Sequence, residues 1–463
     1  MKRITTRISK KISLLFFGDV LLLYAALWVT LALRYGPDER GRLIGLHILP
    51  FTLVFALWLM VIGAVGLYEL RLLKNEKLFL YRLLQAMAAN VVLAIILFYF
   101  FPFAIEPRRN LLLIASMAAV FFFLWRSLFN IIIPRAPASR VMFLGANEET
   151  AHLADFLLAN PQLGWRPVGF ISHEEENKGD LIHSLPALPH LVLGPDGLRH
   201  IIRDFKPEVI VLSPEMKANT AVIQALFDAI RIGVSTVEFP AFHEMLTGKV
   251  PHSLISEAWF LENLIGAHRR SYEVGKRALD LILAFIVSLP ALVTFPIIAL
   301  AIRYDSPGPV FFRQKRVGRN GREFSLLKYR SMVQNADQMS AFKHTEKDMR
   351  QTRVGALLRK NYLDELPQII NIFRGEMSFV GPRPERPEFV AELKEKIPFY
   401  EMRLLASPGM TGWAQIRMEN DASIEDAPQK MQYDLYYVKN QSLTLDLLIM
   451  LRTLFILIRR EGR

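Results

Sequence analysis

Two adjacent carboxylates, Asp364 and Glu365 in KNYLDELPQIINIF, are the residues whose type and spacing best suit chemistry. Neighbouring residues do not share a helix face, so the two side chains aim in different directions. That suits one carboxylate to attack as a nucleophile and the other to hold a metal ion. Pro367 follows closely and favours a helix start, whose N-terminus would favour ionised carboxylates and an incoming phosphate. The plain alternative is an exposed Asp-Glu pair before a helix, because acids are common in first turns. A second motif is SFVGPRPERPE, in which Pro382 and Pro384 bracket Arg383 after Gly381. Prolines fix φ and lower the entropy lost on ordering a loop. A guanidinium held in such a loop suits bidentate phosphate recognition, and the alternative is a structural loop with Arg383 solvated. Lys328 and Arg330, in LLKYRSM, end a basic run from Arg313 that suits substrate phosphates, lipid headgroups or both. The chain has no cysteine, which removes disulfides, thiolate metal sites and cysteine nucleophiles.

These residues need elements to position them. The chain has 463 residues, 52% of them hydrophobic, and a formal charge of +12. A mean hydropathy of +0.24 excludes disorder as the main state and is high for an ordinary soluble enzyme. Nucleic-acid binding would want basic patches interleaved with stacking aromatics. Here the basic runs flank apolar segments, which points to a membrane surface and anionic substrates, with no nucleic acid.

Four apolar stretches, roughly 12–34, 48–68, 83–103 and 110–133, are each long enough to cross a hydrocarbon core. Lys2, Arg3, Arg7, Lys10 and Lys11 precede the first, and Arg71, Lys74, Lys77 and Arg82 lie between the second and third. The positive-inside rule puts the N-terminus, and everything after about residue 134, in the cytoplasm. Asp19 lies inside the first span. It is either a functional group or an acid near the interface that is hydrated or paired.

Pro134 and Pro137 mark a linker. Strands then read at 140–145, 166–171, 208–213 and 234–238, alternating with helices at 148–159 and 218–231. That alternation predicts a parallel α/β module over 135–265. The turn GANEET after its first strand keeps only Gly145 of a dinucleotide fingerprint, and the expected acid after the second strand is ambiguous between His173 and Glu174. The module therefore reads as Rossmann-like and degenerate.

Residues 276–303 form another membrane-length apolar run, interrupted by Pro290 and Pro296 and basic at both ends. Positive flanks on both sides predict a re-entrant, proline-broken hairpin, kinked at one proline or the other. Ser288 is placed to satisfy a freed backbone group. The alternative is a fifth full span. A closing helix at 442–459 carries Asp446 and Arg452, so it lies at the surface or packs on the core.

The block from about 275 to 460 resembles the bacterial sugar transferase family of polyprenyl-phosphate hexose-1-phosphate transferases, also called monotopic phosphoglycosyl transferases. The resemblance rests on KRALDLILA, DSPGPVFFRQKRVGRNGREFSLLKYRSM, LDELPQIINIFRGEMSFVGPRP, SPGMTGWAQIR and YDLYYVKNQSLTLDL, in family order. GPRPERPEFV and DASIEDAPQKMQYDLYYVKN resemble the exosortase-associated exopolysaccharide branch. It implies a membrane α+β protein: a four-helix transmembrane bundle (1–134), the Rossmann-like module (135–265) and a catalytic domain with the re-entrant helix (266–463). It implies transfer of a hexose-1-phosphate from a UDP-sugar to undecaprenyl phosphate at the cytoplasmic face of a bacterial inner membrane. By position, Asp364 matches the family's nucleophile and Glu365 its Mg²⁺-binding partner. Arg383, between Pro382 and Pro384, matches a nucleotide-phosphate contact. Lys328 and Arg330 match basic active-site positions. A homodimer through the spans or the middle module is compatible with the sequence. Two rivals stand beside this reading. A membrane-bound nucleotide-sugar dehydratase or epimerase would need bound NAD and a Tyr-x-x-x-Lys pair, of which Tyr272 and Lys276 are the instance found. The other is a non-catalytic scaffold of a polysaccharide assembly complex.

Overall fold

The computed structural model describes residues 2–69, 77–101, 108–132, 138–172, 188–192, 197–218, 220–231, 233–251, 257–264, 270–334, 350–418 and 426–459. The chain divides into two compact units, Met1–Met245 and Leu246–Arg463.

The first unit opens with four long helices, α1 (Lys2–Arg34), α2 (Pro37–Ala64), α3 (Lys77–Phe100) and α4 (Arg108–Ile132). Each holds a stretch of 23 to 28 residues long and apolar enough to cross a membrane. α1 packs on α2 and α4, and α3 packs on the same two. Leu15, Phe51, Trp58 and Phe122 turn inward, while Phe17, Leu21, Leu49 and Leu112 face out. Apolar side chains on both faces are what lipid, not water, selects. Asp19 is fully buried and pairs with Arg126 of α4 at 2.5 Å. Arg126 also donates to the Leu67 carbonyl and lies 5.0 Å over the Tyr68 ring. The ionisable group of the first span is therefore paired, and it joins α1 to α4.

The same unit continues with β1 (Ser139–Leu144), α5 (Glu148–Ala159), β2 (Trp165–Ser172), β3 (His190–Val192), α6 (Gly197–Phe205), β4 (Val209–Leu212), α7 (Thr220–Arg231), β5 (Ser235–Glu238) and α8 (Phe239–Thr247). The strands form one parallel sheet in the order β3-β2-β1-β4-β5, that of a doubly wound open sheet. The three-residue β3 and the helix α6 go beyond the elements read from the sequence. After β1, Gly145 takes φ +106, and a Cβ there would run into Ser213 at the end of β4. Asn147 and Thr150 cap α5 reciprocally, so the chain's own side chains occupy that helix N-terminus. His173 and Glu174 lie outside the described residues.

The second unit holds α9 (Glu257–Leu264), α10 (Arg270–Asp305), β6 (Phe311–Val317), β7 (Glu323–Tyr329), α11 (Arg353–Lys360), α12 (Gln368–Arg374), β8 (Ser378–Val380), α13 (Pro387–Lys396), β9 (Gly409–Thr411), α14 (Trp413–Arg417), α15 (Ala427–Lys439) and α16 (Leu443–Arg459). β6 and β7 form an antiparallel hairpin, and β8 and β9 a short parallel pair. Val250, Trp259 and Phe260 share a core with Val390, Leu393, Met431 and Leu435. Residues 246–251 and 257–264, read from the sequence as part of the middle module, pack with the C-terminal unit.

α10 runs as one helix through Pro290 and Pro296, where the sequence predicts a break. A proline removes one backbone donor, and nearby hydroxyls take up carbonyls here. Thr294 Oγ1 donates to the Pro290 carbonyl at 2.9 Å and Ser288 Oγ to that of Phe285 at 2.7 Å. Both ends of α10 are bound to this unit. Arg277 donates to the carbonyls of Ile372 and Phe373 near its start. At its end Asp305 accepts from the Val354 amide. Between them Phe285, Leu292, Val293 and Ile297 are exposed. α16 packs on the core: its buried Asp446 accepts from Lys276 at 2.9 Å, Tyr272 at 2.9 Å and Tyr437 at 2.8 Å.

Candidate active site

Asp364 and Glu365 lie in one 3-10 turn, Leu363–Glu365, between α11 and α12. Tyr362 takes left-handed backbone (φ 56), which turns the chain out of α11. A bulky residue with positive φ is uncommon and costs roughly 1–3 kcal/mol, so surrounding packing must hold it. Both carboxylates are buried, at 3% and 8% exposure, against the expectation's plain alternative of an exposed pair.

Lys328, on β7, donates to Glu365 Oε1 at 2.7 Å. Asn371 of α12, fully buried, fixes that meeting. Its Oδ1 accepts from the Leu327 amide, and its Nδ2 donates to the Ser325 carbonyl and to Glu376. Strand alternation does the rest. Lys328 pairs with Phe312 and Phe324 with Arg316, so Lys328 and Arg316 share one face of the hairpin.

The Gly381–Arg386 segment is held at successive carbonyls. That of Pro382 accepts from the Gly409 amide at 3.0 Å, and that of Arg383 from Arg403 Nη2 at 3.0 Å. The Pro384 carbonyl accepts from Arg316 Nη1 at 2.9 Å, and that of Glu385 from the Val317 amide at 2.9 Å. Gly381 is required, because a Cβ there would collide with the Ser407 carbonyl. Glu385 accepts from Lys430 at 2.6 Å and lies 3.7 Å from Arg316.

The electrostatics tie these groups into one cluster. Burial pushes the Lys328 ammonium down, Glu365 opposes that shift and the Arg383 guanidinium adds to it. Burial also pushes Arg316 down to about 10, opposed by Glu385 and reinforced by Arg383 and Arg386. Lys328 and Arg316 thus both feel Arg383 and Glu365, and both carboxylates of the pair act on Lys328. Cations converging beside buried carboxylates are what a diphosphate and an attacking carboxylate need.

Arg330 stands apart from this cluster. β7 ends at Tyr329, so the alternation that would align Arg330 with Lys328 stops there. Its guanidinium donates to the carbonyls of Ile302, Ser306 and Pro307 at the end of α10, a structural task in place of the expected substrate contact. Tyr272 and Lys276 are engaged with Asp446 and Tyr437, not arranged as a dehydratase pair. Sequence reasoning missed Asn371, Arg403, Asp434 and Glu385. It named Arg316 only within the basic run, although period-2 counting along β6 singles it out.

Among the described residues no three His, Asp or Glu gather as a metal cage. Mg²⁺ commonly takes one or two carboxylates and completes its shell with water and substrate phosphates. Two adjacent buried carboxylates beside cations fit that donor set, and Glu365 would be the protein ligand.

A family model described as bacterial sugar transferase matches residues 271–460. The exopolysaccharide production protein ExoY of Sinorhizobium fredii is 34% identical over 212 residues, covering 42% of this chain and 91% of that protein. The chain belongs to the bacterial sugar transferase family. Other members are larger. An Aeromonas hydrophila protein named UDP-N-acetylgalactosamine-undecaprenyl-phosphate N-acetylgalactosaminephosphotransferase is 41% identical over 46% of this chain and 51% of its own length. The UDP-glucose:undecaprenyl-phosphate glucose-1-phosphate transferase of Xanthomonas campestris pv. campestris is 32% identical over 68% of this chain and 65% of its own. The chain spans about half to two thirds of the length of these two relatives. In this family member the matched block contains every residue of the cluster described above.

Proposed function

We propose that this chain transfers a hexose-1-phosphate from a UDP-sugar to undecaprenyl phosphate, releasing UMP, as the initiating membrane step of exopolysaccharide synthesis. The observation that carries the reading is the buried Asp364–Glu365 pair, with Lys328 on Glu365 and the Arg316–Arg383 loop beside it. The names of the relatives support the substrate classes.

In this mechanism an Asp364 oxygen attacks the sugar-bearing phosphorus. The bond from that phosphorus to the UMP oxygen breaks, and UMP leaves with both electrons. A phosphosugar–aspartyl mixed anhydride remains. An oxygen of the polyprenyl phosphate then attacks the same phosphorus and returns Asp364 as a carboxylate. Two displacements at one carboxylate are ordinary covalent catalysis. Arg383 and Lys328 bind and orient the diphosphate, and Lys328 holds Glu365 in place. Mg²⁺ on Glu365, when bound, supplies charge neutralisation to the diphosphate. Most of the acceleration comes from positioning and preset charge.

The topology serves the same reading. α10 is proposed to enter the inner leaflet and leave on the same side, bent at Pro290 or Pro296 without breaking its helix, supported by its basic flanks and by both its ends being bound to one unit. α1 to α4 form the spanning bundle, and the catalytic unit lies on the cytoplasmic face, where lipid phosphate and cytosolic nucleotide-sugar meet.

The test is UMP release by detergent-purified protein with undecaprenyl phosphate, Mg²⁺ and UDP-sugars offered singly. Lipid-dependent release with a sugar, lost in Asp364→Asn, is expected. Near-normal turnover in that variant refutes the nucleophile. No release with any UDP-sugar from folded protein favours the scaffold.

A further inference from the structure

The Gly381–Arg386 loop is anchored by a buried ion pair. Arg403 is 1% exposed, and so is Asp434. Arg403 Nε donates to Asp434 Oδ2 at 2.8 Å, and Nη2 lies 2.7 Å from the same oxygen. The guanidinium also faces Tyr400, its carbon 5.3 Å from the ring centroid and Nη1 3.4 Å from the hydroxyl. One further bond leaves this nest: Nη2 donates to the Arg383 carbonyl at 3.0 Å. Asp434 sits on α15, which also carries Lys430, and Lys430 holds Glu385 two residues beyond Arg383.

A buried ion pair is weak evidence for stability, since desolvating two charges offsets most of their attraction. A use in specifying geometry explains this one better. Pro382 and Pro384 fix φ on either side of Arg383, but they leave its peptide plane free to tilt. Of the four carbonyls held from Pro382 to Glu385, those of Pro382 and Glu385 take backbone amides. That of Pro384 takes Arg316, which belongs to the charged cluster itself. At the Arg383 carbonyl the donor is a guanidinium already locked by Asp434 and Tyr400. Its fork is rigid, so it fixes the direction of the bond as well as its length.

We propose that Arg403 and Asp434 are positioning residues that set the Arg383 peptide and thereby aim the Arg383 guanidinium at the nucleotide phosphate. This rests on the proposed reading of Arg383 as a nucleotide contact. Arg403→Lys keeps the charge but not the fork, and Asp434→Glu keeps both charges and displaces the guanidinium. In each, the Arg383 side chain remains and its aim is lost.

The experiment is a double-mutant cycle on the purified full chain, read by calorimetric UMP binding and by KM and kcat for the UDP-sugar. Arg383→Ala, Arg403→Lys, Asp434→Glu and the combinations with Arg383→Ala are compared, with thermal melting in parallel. Arg403→Lys is expected to weaken UMP binding and raise KM about tenfold, with kcat changed less. Added to Arg383→Ala it should cost nothing further, because residues acting through one contact are not additive. Additive losses mean a general structural role and overturn the proposal, as does unchanged UMP affinity in both conservative variants. If Arg403→Lys melts early, Asp434→Glu decides by the same criteria. If Arg383→Ala itself leaves UMP binding intact, the nucleotide role of Arg383 fails, and the aiming role fails with it. Asp364→Asn then still reports separately on the transfer chemistry.

Discussion

Gly145 and Gly381 each follow a strand, β1 and β8, and only the second lies beside a cluster of cations. In the first unit, Gly145 follows β1 and precedes α5, the position where a doubly wound sheet receives a phosphate. There the helix amides are capped by Asn147 and Thr150, Glu148 and Glu149 fill the first turn, and Asn147 reaches toward Glu215. The charges at this helix start are carboxylates. In the second unit, Gly381 opens a loop whose backbone carbonyls are all held from behind, while Arg383, Arg316 and Lys328 share a field with two buried carboxylates. A glycine lets the chain turn or approach closely, and the ligand follows from what charge the turn exposes. Gly145 leaves room for Ser213, and Gly381 for the Ser407 carbonyl. Both uses are steric, and under the proposed function only the second would face a phosphate.

The strongest way to test this contrast is at Asp364. Asp364→Asn keeps the shape and removes the carboxylate proposed as nucleophile, so lipid-dependent UMP release should fall by at least roughly a thousandfold, as removal of a covalent nucleophile does. Variants at Gly145 should leave release untouched.

Lys328→Met comes next. It leaves Glu365 buried without its ammonium partner, and loss of a buried charge partner costs about 3–5 kcal/mol. UMP release should drop by roughly a hundredfold or more, the rate equivalent of only part of that cost. The pH dependence sharpens this. Burial holds the Lys328 ammonium below its ordinary value, so it loses its proton at lower pH than a free lysine. Below the depressed pKa the Lys328–Glu365 bond is present, and as pH rises through it the bond is lost. The folded state then binds fewer protons than the unfolded one, and stability attributable to this group rises with pH up to the unfolded value. UMP affinity and stability should therefore move in opposite directions on the alkaline limb. In Lys328→Arg the affinity limb should shift upward. A limb that does not move in that variant assigns the titration to another group.

How much of this could be read from the sequence follows from distance along the chain. Asp364 and Glu365 are neighbours, and Pro382, Arg383 and Pro384 are contiguous, so each announces itself as a local motif. Arg403 with Asp434, and Lys430 with Glu385, meet across 31 and 45 residues, and only the folded α15 brings them together. Asn371 is invisible for the same reason: an Asn inside a short helix carries no sign that it will bind a strand. Arg330 shows the converse failure. The basic run and the resemblance place it at the site, while β7 ends one residue earlier and its guanidinium turns to carbonyls at the end of α10. The long helices and the parallel sheet were legible because hydropathy and alternation repeat over many residues. The three-residue β3 repeats nothing. Pro290 and Pro296 suggested a break because proline's cost is local, yet α10 continues helical through both.

Asn371 gives a further test of the site's scaffold. Asn371→Ala strands the buried Leu327 amide, a loss of roughly 1–3 kcal/mol by the cost of an unsatisfied buried group. Thermal melting should fall, and KM for the UDP-sugar should rise as β7 loses its tie to α12. An unchanged KM at lowered stability would mean that Lys328 is placed by the hairpin alone.

The smallest expected effect closes the comparison at the other glycine. Asn147→Ala removes the cap of α5 and should cost about 1 kcal/mol of local stability. It frees helix amides that a phosphate could in principle use, so it is the fairest chance for the first unit to show anion binding. The acids stay in place, with Glu148 and Glu149 in the first turn. Carboxylates within the first turn already satisfy the helix dipole that a phosphate would otherwise exploit. Calorimetry with NAD and with inorganic phosphate should show no saturable binding in the parent or in the variant, and UMP release should be unchanged. Saturable NAD binding by either protein would restore the dinucleotide reading of the module. It would also show that the sign of the surrounding charge does not decide between the two glycine turns.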